Sequence, residues 1–188
     1  SGGNSYSWSG PNGYTTIGTT VNRTNASVAM SGTYTVTVTA SGGCTAIAST
    51  VVTVHPLPVV SITGTTPVCA GGTISLTATG GGTYAWSGPG GFTATGETMV
   101  RTNITTTMSG TYIVTVTGSG GCTATASKAV TVLAAPNATI TGSSTLCSGS
   151  TITLTASGGG TYAWSFPDGF TATGSVVSRP NATTAMSG

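Results

Sequence analysis

The chemistry available to this chain rests on four cysteines and three solitary ionisable residues. Cys44 and Cys122 each follow a Gly-Gly pair, and Cys69 and Cys147 each precede a glycine-containing turn. The histidine is His55, the glutamate Glu97 and the aspartate Asp168, one of each. A zinc centre needs closely spaced Cys and His ligands. Here the nearest cysteines, Cys44 with Cys69 and Cys122 with Cys147, are separated by apolar runs and a proline-containing stretch. An acid–base pair, an activated nucleophile or a three-ligand metal site needs several such groups to converge. The sequence repeats itself, and one repeat away His55 is replaced by Leu133, Glu97 by Thr19 and Ser175, and Asp168 by Gly90, with Asn12 a further repeat back. The sequence therefore predicts no catalytic, cofactor-binding or metal-binding residues, and reads Asp168 as a turn former, with a calcium ligand the weaker alternative.

Disulfide formation remains as the chemistry open to the cysteines, in an oxidising compartment. Cys69 with Cys122 is the expected pair, leaving the partners of Cys44 and Cys147 outside this chain. Such a bridge closes a loop worth roughly 4 kcal/mol by chain entropy. In a simple sandwich topology, however, the two residues fall at opposite ends, too far apart for a bridge. The alternative is a bond between successive units, from Cys69 to the hairpin cysteine of the next, with all four thiols then free in this chain.

These residues are positioned by a sequence of constant period. TYAWSGPGGFTATG at Thr83–Gly96 returns as TYAWSFPDGFTATG at Thr161–Gly174, and more loosely as SYSWSGPNGYTTIG at Ser5–Gly18. Trp8, Trp86 and Trp164 are in register, as are Arg23, Arg101 and Arg179, and Met30, Met108 and Met186. Self-similarity at a period of about 78 residues marks a repeat architecture. The complete unit is residues 57–134, flanked by partial units at 1–56, lacking its first strands, and 135–188, lacking its last. Short, stiff proline-containing linkers, VHPLP at Val54–Pro58 and LAAP at Leu133–Pro136, join them. The ends fall at different phases of the repeat, which predicts a segment of a longer repetitive protein.

Within the complete unit, Ile74, Leu76 and Ala78 alternate with Ser75 and Thr77, and Tyr112, Val114 and Val116 with Ile113, Thr115 and Thr117. Period-two alternation signals half-buried strands. Gly88 to Gly91 and Gly118 to Gly121 supply turns. About seven short strands without helical periodicity predict an all-β fold of tandem antiparallel β-sandwiches, arranged as a rod. Trp8, Trp86, Trp164, Tyr34 and Tyr112 are the expected core. Phe92, Phe170 and Tyr14, just after the turns, are the candidates for surface binding. The Thr35, Thr37 and Thr39 row is read as a solvated or lateral-packing face.

Charged residues make up 3% of the chain and the formal net charge is +2. No basic face for nucleic acid or anionic lipid follows from that, and no apolar run is long enough to insert in a membrane. NAS at Asn25, NIT at Asn103 and NAT at Asn181 are acceptor sequences for glycosylation only in a suitable host, and otherwise read as turns.

A tryptophan on the third strand, SGTY at Ser31–Tyr34 and Ser109–Tyr112 opening the penultimate strand, and a cysteine after it together carry a resemblance. The chain resembles the immunoglobulin-like and PKD-like tandem repeats of long bacterial cell-surface proteins, among them gliding-motility adhesins exported by the type IX pathway. It differs in having Met30 and Met108 where a tyrosine corner usually has Asp. The resemblance implies a secreted structural and adhesive segment of a fibre, stalk or filament at the cell surface. Its partners would be neighbouring repeats, other copies of itself and surface glycans. A glycan- or ice-binding module with a site on each unit is the alternative.

Overall fold

β-branched residues alternating with hydroxyl side chains favour pleated strands with one apolar face, and the computed structural model, which describes residues 5–188, is built of such strands. The first segment holds β1 (Ser5–Gly10), β2 (Tyr14–Ile17), β3 (Gly32–Thr39) and β4 (Thr45–Val52). The middle segment holds β5 (Ser61–Gly64), β6 (Val68–Cys69), β7 (Thr73–Thr79), β8 (Thr83–Gly88), β9 (Phe92–Thr95), β10 (Thr98–Thr102), β11 (Gly110–Thr117), β12 (Thr123–Val130) and β13 (Val132–Leu133). The last holds β14 (Thr139–Gly142), β15 (Ile152–Ser157), β16 (Ala163–Ser165), β17 (Thr171–Thr173) and β18 (Val176–Arg179).

In the middle segment two antiparallel sheets form, one ordered β10-β7-β5 and the other β12-β11-β8-β9. Their facing residues make one core. Ile74, Leu76 and Ala78 of β7 and Met99 of β10 meet Trp86 of β8 and Tyr112, Val114 and Val116 of β11. Ile104, Val130 and Val132 close it. Leu76 and Tyr112 are both 0% exposed. The small β6–β13 pair stands apart from both sheets, held by the Val68 N–H donating to the Thr131 carbonyl at 3.0 Å. This is an all-β immunoglobulin-like sandwich with antiparallel sheets.

The first segment has one sheet, β2-β1-β3-β4, in the same order as β9-β8-β11-β12. Residues matching β5 and β7 do not occur in it, so no described part of this segment forms a second sheet, and residues 19–27 form no strand. Tyr34 is buried, but Trp8, expected in the core, is only half-buried. The last segment has the opposite content: a β14-β15-β18 sheet and a β16–β17 hairpin, with Trp164 9% exposed. The chain divides into two compact bodies at Val132/Leu133.

Turns explain the residues that sit between strands. Asn25, Asn103 and Asn181 adopt left-handed φ of 54°, 51° and 56°, a conformation asparagine tolerates better than most residues. Gly90 has φ 72° where Asn12 has φ 61°, so these two turns take positive φ with either residue, while in the last segment Gly169, next to Asp168, takes it at φ 82°.

Leu76→Ala should destabilise the middle sandwich by about 2–5 kcal/mol, because its site cannot collapse around the missing methyls. Leu154→Ala, at the matching but only half-buried position, should cost less. Urea unfolding of the full chain, followed by hydrogen exchange on β7 and β15, compares the two.

Candidate functional site

The recurring side-chain cluster begins with the tryptophan. Trp86 Nε1 donates to the Gly96 carbonyl at 2.9 Å, Trp8 Nε1 to Gly18 at 2.9 Å and Trp164 Nε1 to Gly174 at 2.8 Å. A buried indole needs such an acceptor. The glycine carbonyl is held there by its own backbone: Gly96 N–H donates to Tyr84, Gly18 to Tyr6 and Gly174 to Tyr162.

Beside it lies an arginine clamp. Arg101 Nη1 donates to the Tyr112 hydroxyl at 2.9 Å and to the Pro89 carbonyl at 3.2 Å. The Tyr112 hydroxyl in turn donates to the Met108 carbonyl at 3.1 Å, as Tyr34 does to Met30 at 3.0 Å. This is a tyrosine corner, and the usual Asp is dispensable because the acceptor is a backbone oxygen. Arg23 repeats the contact to Tyr34 at 2.8 Å. The ring of Tyr112 lies so close over Gly88 that a Cβ there would stand 2.6 Å from it, and Gly10 and Tyr34 are related in the same way. The glycine serves close approach here, since its φ of −167° is ordinary extended backbone.

The three surface-binding candidates belong to this clamp. Arg101 lies over the Phe92 ring at 4.5 Å, Arg23 over Tyr14 at 4.3 Å and Arg179 over Phe170 at 4.3 Å. Phe92 and Tyr14 also meet Tyr112 and Tyr34 edge-on, at 6.0 and 6.3 Å. One face of each ring is thus taken by a cation within the same segment. Phe170 is the most open, at 39% exposure. The arginine register is legible in the sequence, but the rings it covers are not. The available signal was that three of only four basic residues keep the same place.

In the last segment Phe166 stands where Gly88 and Gly10 stand, stacked on Trp164 at 6.4 Å and edge-on to Phe170 at 5.6 Å. Arg179 there grips Asp168 instead of a tyrosine, with Nη2–Oδ2 at 2.7 Å and Nη1–Oδ1 at 3.0 Å. The Phe170 N–H also donates to Asp168 Oδ1 at 3.2 Å. The hydrogen-bonded guanidinium, with that N–H, holds the Asp168 carboxyl below its ordinary 3.8 against a desolvation effect of opposite sign. Asp168 is a turn residue with a cation partner.

The cysteines do not meet. All four are free, Cys44, Cys69 and Cys147 exposed and Cys122 half-buried. The expected Cys69–Cys122 bridge is corrected by topology: Cys69 lies in β6 beside β13, at the far end of β12 from the hairpin that holds Cys122. From Cys122 to Thr131 the extended chain spans roughly 30 Å, while a disulfide needs Cα atoms within about 7 Å. Among the described residues no three His, Cys, Asp or Glu side chains gather where they could share a metal ion. Among them, too, no helix is long and apolar enough to cross a membrane. A cleft of about 470 Å³ in the last segment is lined by Leu154, Trp164, Phe166, Ala182 and Met186. The residues matching Leu154 and Trp164 pack against β11 in the middle segment, so this is an uncovered core and not a ligand pocket.

The strand order and buried tryptophan have a counterpart among known families. Residues 55–132 match the family model described as a PKD-like domain. The match covers the middle segment, less than half of the chain. Solved structures similar to the chain include an amphioxus IgVJ-C2 molecule, at 20% identity and TM-score 0.39 over 70% of this chain and 91% of that one. Another is the three N-terminal domains of the bacteriophage RB49 Highly Immunogenic Outer Capsid protein, at 18% and 0.39 over 97% and 60%. The four N-terminal Ig domains of Dscam1 isoform 4.44 match at 22% and 0.36 over 68% of this chain, which spans 37% of that structure. No curated protein matches by sequence.

Tyr112→Phe removes the hydroxyl shared by Arg101 and Met108, and should destabilise the middle domain by about 1–3 kcal/mol, read as a lowered urea midpoint. For Asp168, whose carboxyl ionises more readily folded than unfolded, the stabilisation is present above pH 3.8 and lost as pH falls through the lower folded value. Carboxyl NMR titration should place it below 3.8, and Arg179→Ala should return it towards the ordinary value.

Proposed function

We propose that this chain is a structural segment of an extracellular cell-surface fibre, stalk or filament, built from tandem sandwich repeats and serving adhesion or surface attachment. The observation that carries the reading is that the side chains repeated between segments are spent on internal locks. The indole-to-glycine bond recurs three times and the arginine-over-aromatic contact three times. Repetition of the same locks with no converging reactive groups favours a mechanical role over a catalytic one. The PKD-like match supports the same direction, since such domains are typically non-catalytic and extracellular. Linkers as short as Val54–Pro58 favour restricted rotation between repeats, hence a semi-rigid rod.

Lateral packing is part of the proposal. On the outward face of the first sheet, Ile17 and Ile47 flank Ser7 and Thr37 in one cross-strand row, and they are 82% and 71% exposed. Val51, 72% exposed, lies on the same face. An apolar, uncharged strip supports side-by-side association of like chains, because little charge repulsion opposes it.

Negative-stain electron microscopy of the concentrated full chain should show elongated particles that associate side by side, and Ile17→Lys with Ile47→Lys should disperse them. Separate, flexible beads at every concentration would overturn the reading. Isothermal titration against a glycan panel should show no saturable binding. Saturable binding abolished by Phe92→Ala would replace the structural role with a glycan-binding one.

A further inference from the structure

Two cysteine positions recur in register, Cys44 with Cys122 and Cys69 with Cys147, yet none of the four is bonded. The geometry around His55 explains why both kinds are present. Cys122 begins the return from the β11–β12 hairpin, and its Sγ lies 3.8 Å from the His55 carbonyl in the linker that leaves the first segment. The same hairpin is moulded to that linker. Gly120, at φ +67°, lies directly against the His55 imidazole, where a Cβ would overlap the ring, and a Cβ on Gly118 would meet Pro58 at 3.0 Å. The hairpin of the middle segment therefore docks on the linker that leaves the segment before it.

The other cysteine approaches the same linker position from its own segment. Residue 55 is in register with Leu133, and Leu133 belongs to β13, the partner of the β6 strand Val68–Cys69. Paired strands lie about 4.8 Å apart. A cysteine at the Cys69 position of any segment thus sits beside its own residue 133 equivalent, and the hairpin cysteine of the next segment sits against that same equivalent. We infer that the Cys69-type thiol of one repeat and the Cys122-type thiol of the following repeat form an inter-repeat disulfide that staples each junction. Both thiols border the same linker residue, and the bond requires their Cα atoms to come within about 7 Å. The chain contains no complete pair of this kind: Cys69 and Cys122 belong to the same repeat, and neither has the neighbouring repeat's matching cysteine in the sequence.

Bond formation follows thiol–disulfide exchange. A thiolate attacks a low-molecular-weight disulfide such as oxidised glutathione, and one reduced glutathione leaves. The second protein thiolate displaces the other, so the two cysteines lose two electrons and two protons to the oxidant. An oxidising compartment is where the bond persists. The inference rests on the extracellular reading for that compartment alone.

The test prefixes the full chain with a copy of its own residues 57–78, which continues the repeat in register into Ser1 and supplies a copy of Cys69 to the first segment. After oxidation in glutathione buffer and alkylation, non-reducing peptide mapping should show the copied cysteine joined to Cys122, with Cys44, Cys69 and Cys147 alkylated. The copied cysteine joined to Cys44, or left free in a chain that has a native far-ultraviolet spectrum, would overturn the staple. Independently of the prefix, His55→Cys in the unextended chain should cross-link to Cys122 under the same oxidant, and absence of that bond would remove the juxtaposition on which the proposal stands. Neither readout depends on where the protein resides, so the localisation reading stands or falls separately.

Discussion

The middle sandwich is pinned at one hydroxyl group. Tyr112 is wholly buried, and its Oη joins three elements that otherwise share only apolar contact: Arg101 from one sheet, Met108 from the crossing between sheets, and β11 of the other sheet. Through Arg101 the same node reaches the Pro89 turn and covers the Phe92 ring. A hydrogen bond between a charged donor and a neutral acceptor is stronger than a neutral pair, and inside a core an unpaired partner is costly. The sheets are thereby held in one relation, and the tryptophan, with its own acceptor at Gly96, fills the space between them.

A chain with 3% charged residues has few other polar devices for specifying its structure. It sets three of its four basic residues over aromatic rings and gives much of its outer faces to Thr and Ser, with cross-strand hydroxyl pairs such as Ser61–Thr79 and Thr77–Thr98 at 2.8 and 3.0 Å. Such faces add β propensity without charge. On the proposed fibre reading, little charge repulsion leaves the joining of copies and repeats unopposed, and the linker at His55 with the hairpin moulded to it is the place where two segments meet.

The strands were legible because alternation with a period of two is a direct imprint of one buried face, and β7 and β11 lie where Ile74–Ala78 and Tyr112–Val116 alternate. The turn asparagines were legible because their backbone preference is local. The clamp was visible only as an arginine register: nothing in a one-dimensional pattern says that Arg101 reaches Tyr112 and also covers Phe92. The methionine at the tyrosine corner looked like a departure, yet the acceptor is its carbonyl, which every residue has.

The sequence by itself determined the period, the strands and the core face, because each follows from residue type and spacing along the chain. Only the tertiary structure decided which residues meet across it. Cys69 and Cys122 look like a pair by count, but β12 holds them at opposite ends of the sandwich, while the linker brings Cys122 to His55. Trp8 and Trp86 occupy equivalent positions, and one is half-buried while the other is enclosed, because burial requires a second sheet and not merely an aromatic side chain. Contacts distant in sequence depend on strand order and on the path of the connections, and neither is written in any single stretch of the chain.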